Sequence, residues 1–321
     1  MNVTIHSSHA KIKVKTAFIA FLLFISCGSF FSQTKGSDKN DSLFISAYKK
    51  FNEKEYKGSY IDYSSYLVKY PGDAVATYNR GLCAYEMEDY KDGITNFNRS
   101  VKLGRREADL FYIRGLSYYQ LNNYVTAIAD FDTALLFSPH YTYALTYKGV
   151  CLDKLGKYEE ALRSFNLAVL SEPENENVYY YRGITKFHLR DYAGGITDCN
   201  KAIAINPLYD KYFWRAQNYA GLKRFNEAIK DYDMVINSDQ KNSKAYHYRA
   251  LAYYNSGSFE KALADNNRCL ELDPADTSAY FNRALIKYEL GKHKEAEPDF
   301  NAAIGLRLND SKHYMWRGIN F

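Results

Sequence analysis

The 321-residue chain is 46% hydrophobic and 25% charged with only six prolines, a globular composition that excludes long disordered tracts. Its formal charge of +5 falls by three once Lys11, Lys13 and Lys15 are set aside, and no run of Lys and Arg elsewhere forms the basic stripe that phosphate binding needs, which excludes nucleic acid as a partner. The 32 tyrosines and 19 phenylalanines are the anomaly, and they call for many inter-element contacts, an aromatic-lined surface, or both.

The first segment in chain order, residues 1–32, reads as a targeting signal: three spaced lysines, the apolar run from Thr16 to Ser26, then small and polar residues. Even extended to Phe31, the apolar stretch is shorter than the roughly 20 residues of a spanning helix, which disfavours an uncleaved anchor. Phe24-Ile25-Ser26-Cys27 resembles a bacterial lipobox, with Phe24 in place of the usual leucine, so Cys27 is a lipidation candidate. Cleavage after Ser29 or Ser32, leaving a soluble protein, is the alternative. Either route places the chain outside the cytoplasm, in a periplasm or cell envelope.

From residue 40 onward the chain repeats. Arg80-Gly81, Arg114-Gly115, Lys148-Gly149, Arg182-Gly183, Arg215-Ala216, Arg249-Ala250, Arg283-Ala284 and Arg317-Gly318 follow one another at steps of 34 residues, with a single step of 33. The repeat 108–141 carries Phe111, Gly115, Tyr118, Ala127, Phe131, Ala134 and Pro139. The next keeps Gly149, Ala161, Phe165, Ala168 and Pro173, and the repeat from 277 keeps Tyr280, Ala284, Ala296, Phe300 and Ala303. Small residues let two helices approach, with Gly115 expected to face Ala127, while aromatics fill the wider gaps and proline ends the second helix. Gly156, Gly257 and Gly291 fall between paired helices, where a left-handed cap permits a tight turn.

On these motifs the sequence resembles the tetratricopeptide repeat family over residues 40–321. The resemblance implies an all-α fold, a right-handed superhelical solenoid of antiparallel helix pairs. Eight repeats are expected to start near 40, 74, 108, 142, 176, 209, 243 and 277, followed by half of a ninth. The repeat 40–73 departs from the pattern at Ser59, Tyr63 and Tyr66 and is expected to be a divergent cap. Gly194-Gly195 with Cys199, and Val235 with Gln240, are expected to make looser joints. Pro298 is tolerable only if its helix starts late. The final half repeat, with Tyr314 and Trp316, leaves an end expected to receive a partner or a second copy of the protein.

The resemblance further implies a concave groove lined by first helices, which in this family holds peptides. Its first row is Tyr78, Tyr112, Thr146, Tyr180, Phe213, His247 and Phe281, and its second includes Leu82, Leu116, Val150, Ile184, Gln217, Leu251 and Leu285. These are aromatic and aliphatic where chaperone-binding members carry lysine and asparagine, so a clamp for an acidic C-terminal tail is disfavoured. The expected partner is an extended segment of another protein. Recognition of a glycan or cell-wall polymer by the same rings is the alternative, weakened by the scarcity of polar groups in the second row.

A recurrent base before the small slot (Arg114, Arg182, Arg215, Arg249, Arg283) is matched by Asp130, Asp198, Asp231, Asp265 and Asp299, which points to ion pairs that fix stacking register. Cys83, Cys151, Cys199 and Cys269 each fall on a helix-packing slot of a different repeat and are expected to be buried thiols. No histidine pair has metal-ligand spacing, and neither a phosphate loop nor a nucleophile elbow is present. The sequence therefore reads as a non-catalytic, cofactor-free scaffold.

Overall fold

A computed structural model describes residues 38–306, so the targeting segment, Cys27 and the final half repeat all lie outside the described residues. The described chain holds sixteen helices and no strand, in agreement with the all-α expectation. They are α1 (Ser42–Asn52), α2 (Tyr56–Lys69), α3 (Ala74–Glu86), α4 (Tyr90–Lys102), α5 (Ala108–Gln120), α6 (Tyr124–Phe137), α7 (Thr142–Lys154), α8 (Tyr158–Ser171), α9 (Glu176–His188), α10 (Tyr192–Ile205), α11 (Tyr209–Gly221), α12 (Phe225–Ser238), α13 (Ser243–Asn255), α14 (Phe259–Leu272), α15 (Thr277–Glu289) and α16 (His293–Leu306). Odd-numbered helices are the first of each pair, and they start where the sequence period places them.

Local chemistry sets the ends. Asp41, Asp73, Asn175, Asn242 and Asp276 accept hydrogen bonds from the exposed backbone amides of the first helices, and Asp89, Asn123 and Asp191 do so for second helices. Between the two helices of each pair stands one residue with left-handed backbone: Lys54, Glu88, Asn122, Gly156, Arg190, Lys223, Gly257 and Gly291. At the second of these, Glu88 N–H reaches Tyr85 O and Asp89 N–H reaches Ala84 O, which closes the last helical turn and reverses the chain. Pro298 sits inside α16, in its second turn, so that helix does not start late. It forgoes one helical hydrogen bond there.

The chain divides between Cys151 and Leu152 into two compact units. In the first, one continuous core runs from Phe44 through Tyr63, Tyr78, Phe97, Tyr112 and Phe131 to Tyr147. Each such ring removed from water contributes about 1.5–3 kcal/mol. The divergent first pair is held by polar contacts: the Tyr66 hydroxyl donates to Asp73 (2.9 Å), Asn79 donates to the Tyr63 hydroxyl (3.0 Å), and Ser59 donates to Ala47 O (2.8 Å). Close approach at the small slots is real, but its partner differs from expectation. A Cβ on Gly115 would meet the ring of Phe131 at 2.7 Å, not Ala127, and one on Gly81 would meet Phe97 at the same distance.

In the second unit, smaller core groups gather at successive joints, around Ala216 with Tyr232, Val235 with Ala245, Cys269 with Ala279, and Ala284 with Phe300. Gly195 does not leave its joint open, because a Cβ there would run into the buried side-chain amide of Asn218, so α10 and α11 pack closely at this point. Val235 is fully buried as well.

Candidate functional site

The first helices carry the residues expected to meet a ligand, and the two units treat them differently. In the first unit Tyr112 and Leu116 are wholly buried and Tyr78 is 2% exposed, while Leu82, Thr146 and Val150 are buried too. The guanidinium of Arg105 lies 4.3 Å above the Tyr78 ring and is itself paired with Glu107 and Asp109. Around Tyr112 stand the rings of Tyr141, Tyr143, Tyr147 and Phe131, with centroids 5.0–6.3 Å away. Tyr78, Tyr112 and Leu116 are therefore core residues rather than groove lining, which corrects the sequence expectation. Neighbouring tyrosines and an arginine occupy the space a ligand would need.

In the second unit Tyr180, Ile184, Phe213 and Phe281 keep part of their surface, whereas Gln217 and His247 are buried. The sequence reading missed a seam between α9 and α11. Trp214 packs against Phe187 (5.6 Å), Phe213 (5.9 Å) and His188 (6.1 Å), and Asp153 holds His188 Nδ1 at 3.0 Å while accepting from the Thr185 hydroxyl at 2.8 Å. Burial pushes the Asp210 carboxyl above its usual pKa and the Tyr180 hydroxyl well above its own. Trp214 was legible as an aromatic beside Phe213, but only the seam shows what it does.

The arginine and aspartate series forms as expected. Arg114 donates twice to Asp130 (2.8 and 2.6 Å) and once to Asn98 of the preceding second helix (2.8 Å). Arg182 bonds Asp198 and Asn166, Arg215 bonds Asp231 and Asn200, and Arg283 bonds Asp299 and Asn267 in the same way. Arg249 takes two acids, Asp265 and Asp233. Each of these guanidinium groups also lies over the ring three residues before it, Phe111, Tyr179, Tyr212, Tyr246 and Tyr280 in turn. With every fork engaged, the series holds three helices in register and offers no anion site.

The four described cysteines are buried and unbridged, and burial pushes each thiol up to about 12. One of them has unusual neighbours. His247 on α13, Cys269 on α14 and Asp276 at the start of α15 place one donor atom each within 4.8 Å of one another. Their separations of 22 and 7 residues match no local ligand motif, so sequence spacing alone does not reveal the group.

A family model described as a tetratricopeptide repeat matches residues 78–142 and 148–210, and one described as anaphase-promoting complex, cyclosome, subunit 3 matches residues 221–299. Among solved structures, the chain is similar to the APC/C hetero-tetramer Cut9–Hcn1, at 13% identity and a TM-score of 0.62, covering 88% of this chain and 56% of that one. It is also similar to the C-terminal part of a repeat-containing protein from Cytophaga hutchinsonii, at 18% identity and a TM-score of 0.59, covering 74% and 97%. A tetratricopeptide repeat protein from Parabacteroides merdae matches at 17% identity and a TM-score of 0.53, covering 87% and 98%. Identities this low carry the fold and nothing further. No curated protein matches the chain.

Proposed function

The chain is a tetratricopeptide repeat protein, and from that premise we propose that it is a non-catalytic scaffold whose second unit holds an extended segment of another polypeptide. The observation that carries this reading is the contrast between the first-helix residues of the two units. Tyr78 and Tyr112 are sealed into the core, whereas Tyr180, Ile184, Phe213, Phe281 and Leu285 keep surface on α9, α11 and α15. Partly exposed aromatics supply large rigid contact area at small entropic cost, which suits the capture of a peptide. The arginines are satisfied within the fold, so recognition rests on apolar contact and a few hydrogen bonds rather than on charge.

We further place this scaffold in a bacterial envelope, on the strength of the lysine-rich and apolar residues 1–32, with Cys27 as the candidate lipid attachment. No described helix is long and apolar enough to cross a membrane. The terminal half repeat expected from the sequence, which lies outside the described residues, is our candidate for contact with a partner or a second copy.

Ile184→Arg combined with Leu285→Arg tests the contact surface. As bait in envelope extracts, the native chain retains a specific protein, and the double variant, still helical by circular dichroism, retains it at least tenfold less, the equivalent of about 1.4 kcal/mol. Leu170→Arg and Met234→Arg, on exposed second-helix positions, leave retention unchanged. Equal retention by the double variant, or retention only of a glycan polymer, contradicts the reading.

A further inference from the structure

We infer that His247, Cys269 and Asp276 form a binding site for a borderline divalent metal such as zinc, joining three consecutive helices of the second unit. The donor set is one imidazole, one thiol and one carboxylate, the mixture that zinc and its near neighbours take and that hard, oxygen-seeking cations do not. Asp276 Oδ2 stands 3.5 Å from His247 Nδ1 and 3.7 Å from Cys269 Sγ. Ligand bonds of about 2.0 Å to nitrogen and oxygen and about 2.3 Å to sulfur, at tetrahedral angles, require ligand separations of about 3.3–3.5 Å. Two of the three pairs are thus already close to bonded spacing. The third, at no more than 4.8 Å, closes by about an ångström of side-chain rotation.

Two independent features orient the group. The Asp276 carboxylate divides its oxygens: Oδ1 accepts from the amides of Ser278 (2.9 Å) and Ala279 (3.0 Å), capping α15, and Oδ2 accepts only the weak hydrogen bond of the Cys269 thiol (3.7 Å), whose proton metal binding would release. Its Oδ2 is thereby fixed towards His247 and Cys269. His247 is 8% exposed, and its Nδ1 is a buried atom without a hydrogen-bond partner, a condition that costs about 1–3 kcal/mol when nothing compensates it. A metal on Nδ1 removes that deficit. The opposite ring nitrogen lies 3.4 Å from the side-chain amide of Asn282, which, turned to present its oxygen, accepts from Nε2–H and holds the tautomer that metal binding needs.

Binding releases one proton, since the thiol enters as thiolate; thiolate and carboxylate together balance the two positive charges of the ion. Three protein ligands leave a fourth position for water or a donor atom of another molecule. The Asp276 side chain is 24% exposed, so that position is reached from solvent. The site would cross-link α13, α14 and the start of α15.

Cobalt(II) is the direct probe, because thiolate ligation gives a sulfur-to-cobalt charge-transfer band in the near ultraviolet. Titrated into the full chain carrying Cys27→Ala, cobalt produces this band at one equivalent, and added zinc abolishes it. Cys269→Ala removes the band while Cys83→Ala and Cys199→Ala keep it. His247→Ala and Asn282→Leu each weaken binding roughly 10- to 100-fold. Zinc raises the unfolding midpoint of the native chain and not that of Cys269→Ala. Absence of the band in the folded native chain, or its survival in Cys269→Ala, overturns the assignment.

Discussion

Gly115 and Glu88 show how single positions enforce the repeat. The Phe131 ring next to Gly115 is fully buried and has nowhere to move, so Gly115→Ala, with its added carbon 2.7 Å from that ring, is expected to cost about 1–3 kcal/mol. Gly305→Ala is the control: nothing lies within 4 Å of that site, and a helical alanine there stabilises by about 0.5–1 kcal/mol. Both are read as shifts in the denaturant midpoint. At Glu88 and Lys223, with φ of 63° and 60°, a side chain occupies a backbone region that costs L-residues about 1–2 kcal/mol. Glu88→Gly and Lys223→Gly are therefore expected to raise the midpoint slightly, and Gly156→Ala to lower it. If glycine at Glu88 destabilises the protein, side-chain contacts of the turn outweigh its backbone strain.

At the scale of the helix, the arginine series governs how pairs stack. Asp130 keeps 7% of its side-chain surface, so Arg114→Ala leaves a nearly buried carboxylate without its partner and is expected to cost about 3 kcal/mol. Arg114→Met combined with Asp130→Leu should recover most of the loss, since two apolar groups pack without a desolvation penalty. A double variant as unstable as the single one would mean that the contact with Asn98, rather than the ion pair, sets the register.

These elements were legible in the sequence for a definite reason. Small slots recurring at 34 residues fix where each first helix stands, and Arg-Gly or Arg-Ala marks them directly. The turns were legible at Gly156, Gly257 and Gly291 but hidden at Lys54, Glu88, Asn122, Arg190 and Lys223, because only glycine announces left-handed backbone. The contact row was half legible. A slot in the repeat says which face of a helix a residue occupies, but it is silent on what covers that face. Arg105, Tyr141 and Tyr147, which bury Tyr78 and Tyr112, come from outside the row. The grouping of His247, Cys269 and Asp276 spans three helices and carries no local motif at all.

For the whole molecule, the repeat supplies many first-helix faces, and side-chain identity decides which remain usable. In the first unit the rings of Tyr78 and Tyr112 are consumed by the core. In the second unit the buried core falls into smaller groups at successive joints, and Tyr180, Phe213 and Phe281 on α9, α11 and α15 keep part of their surface. The most direct measurement is site-specific photo-cross-linking in envelope extracts, with the reactive side chain placed at Ile184 and Leu285 and, separately, at Leu170 and Met234. One polypeptide is expected to be trapped from Ile184 and Leu285 and not from the other two. Trapping from Leu170 and Met234 alone would move the working surface to the second helices and contradict it.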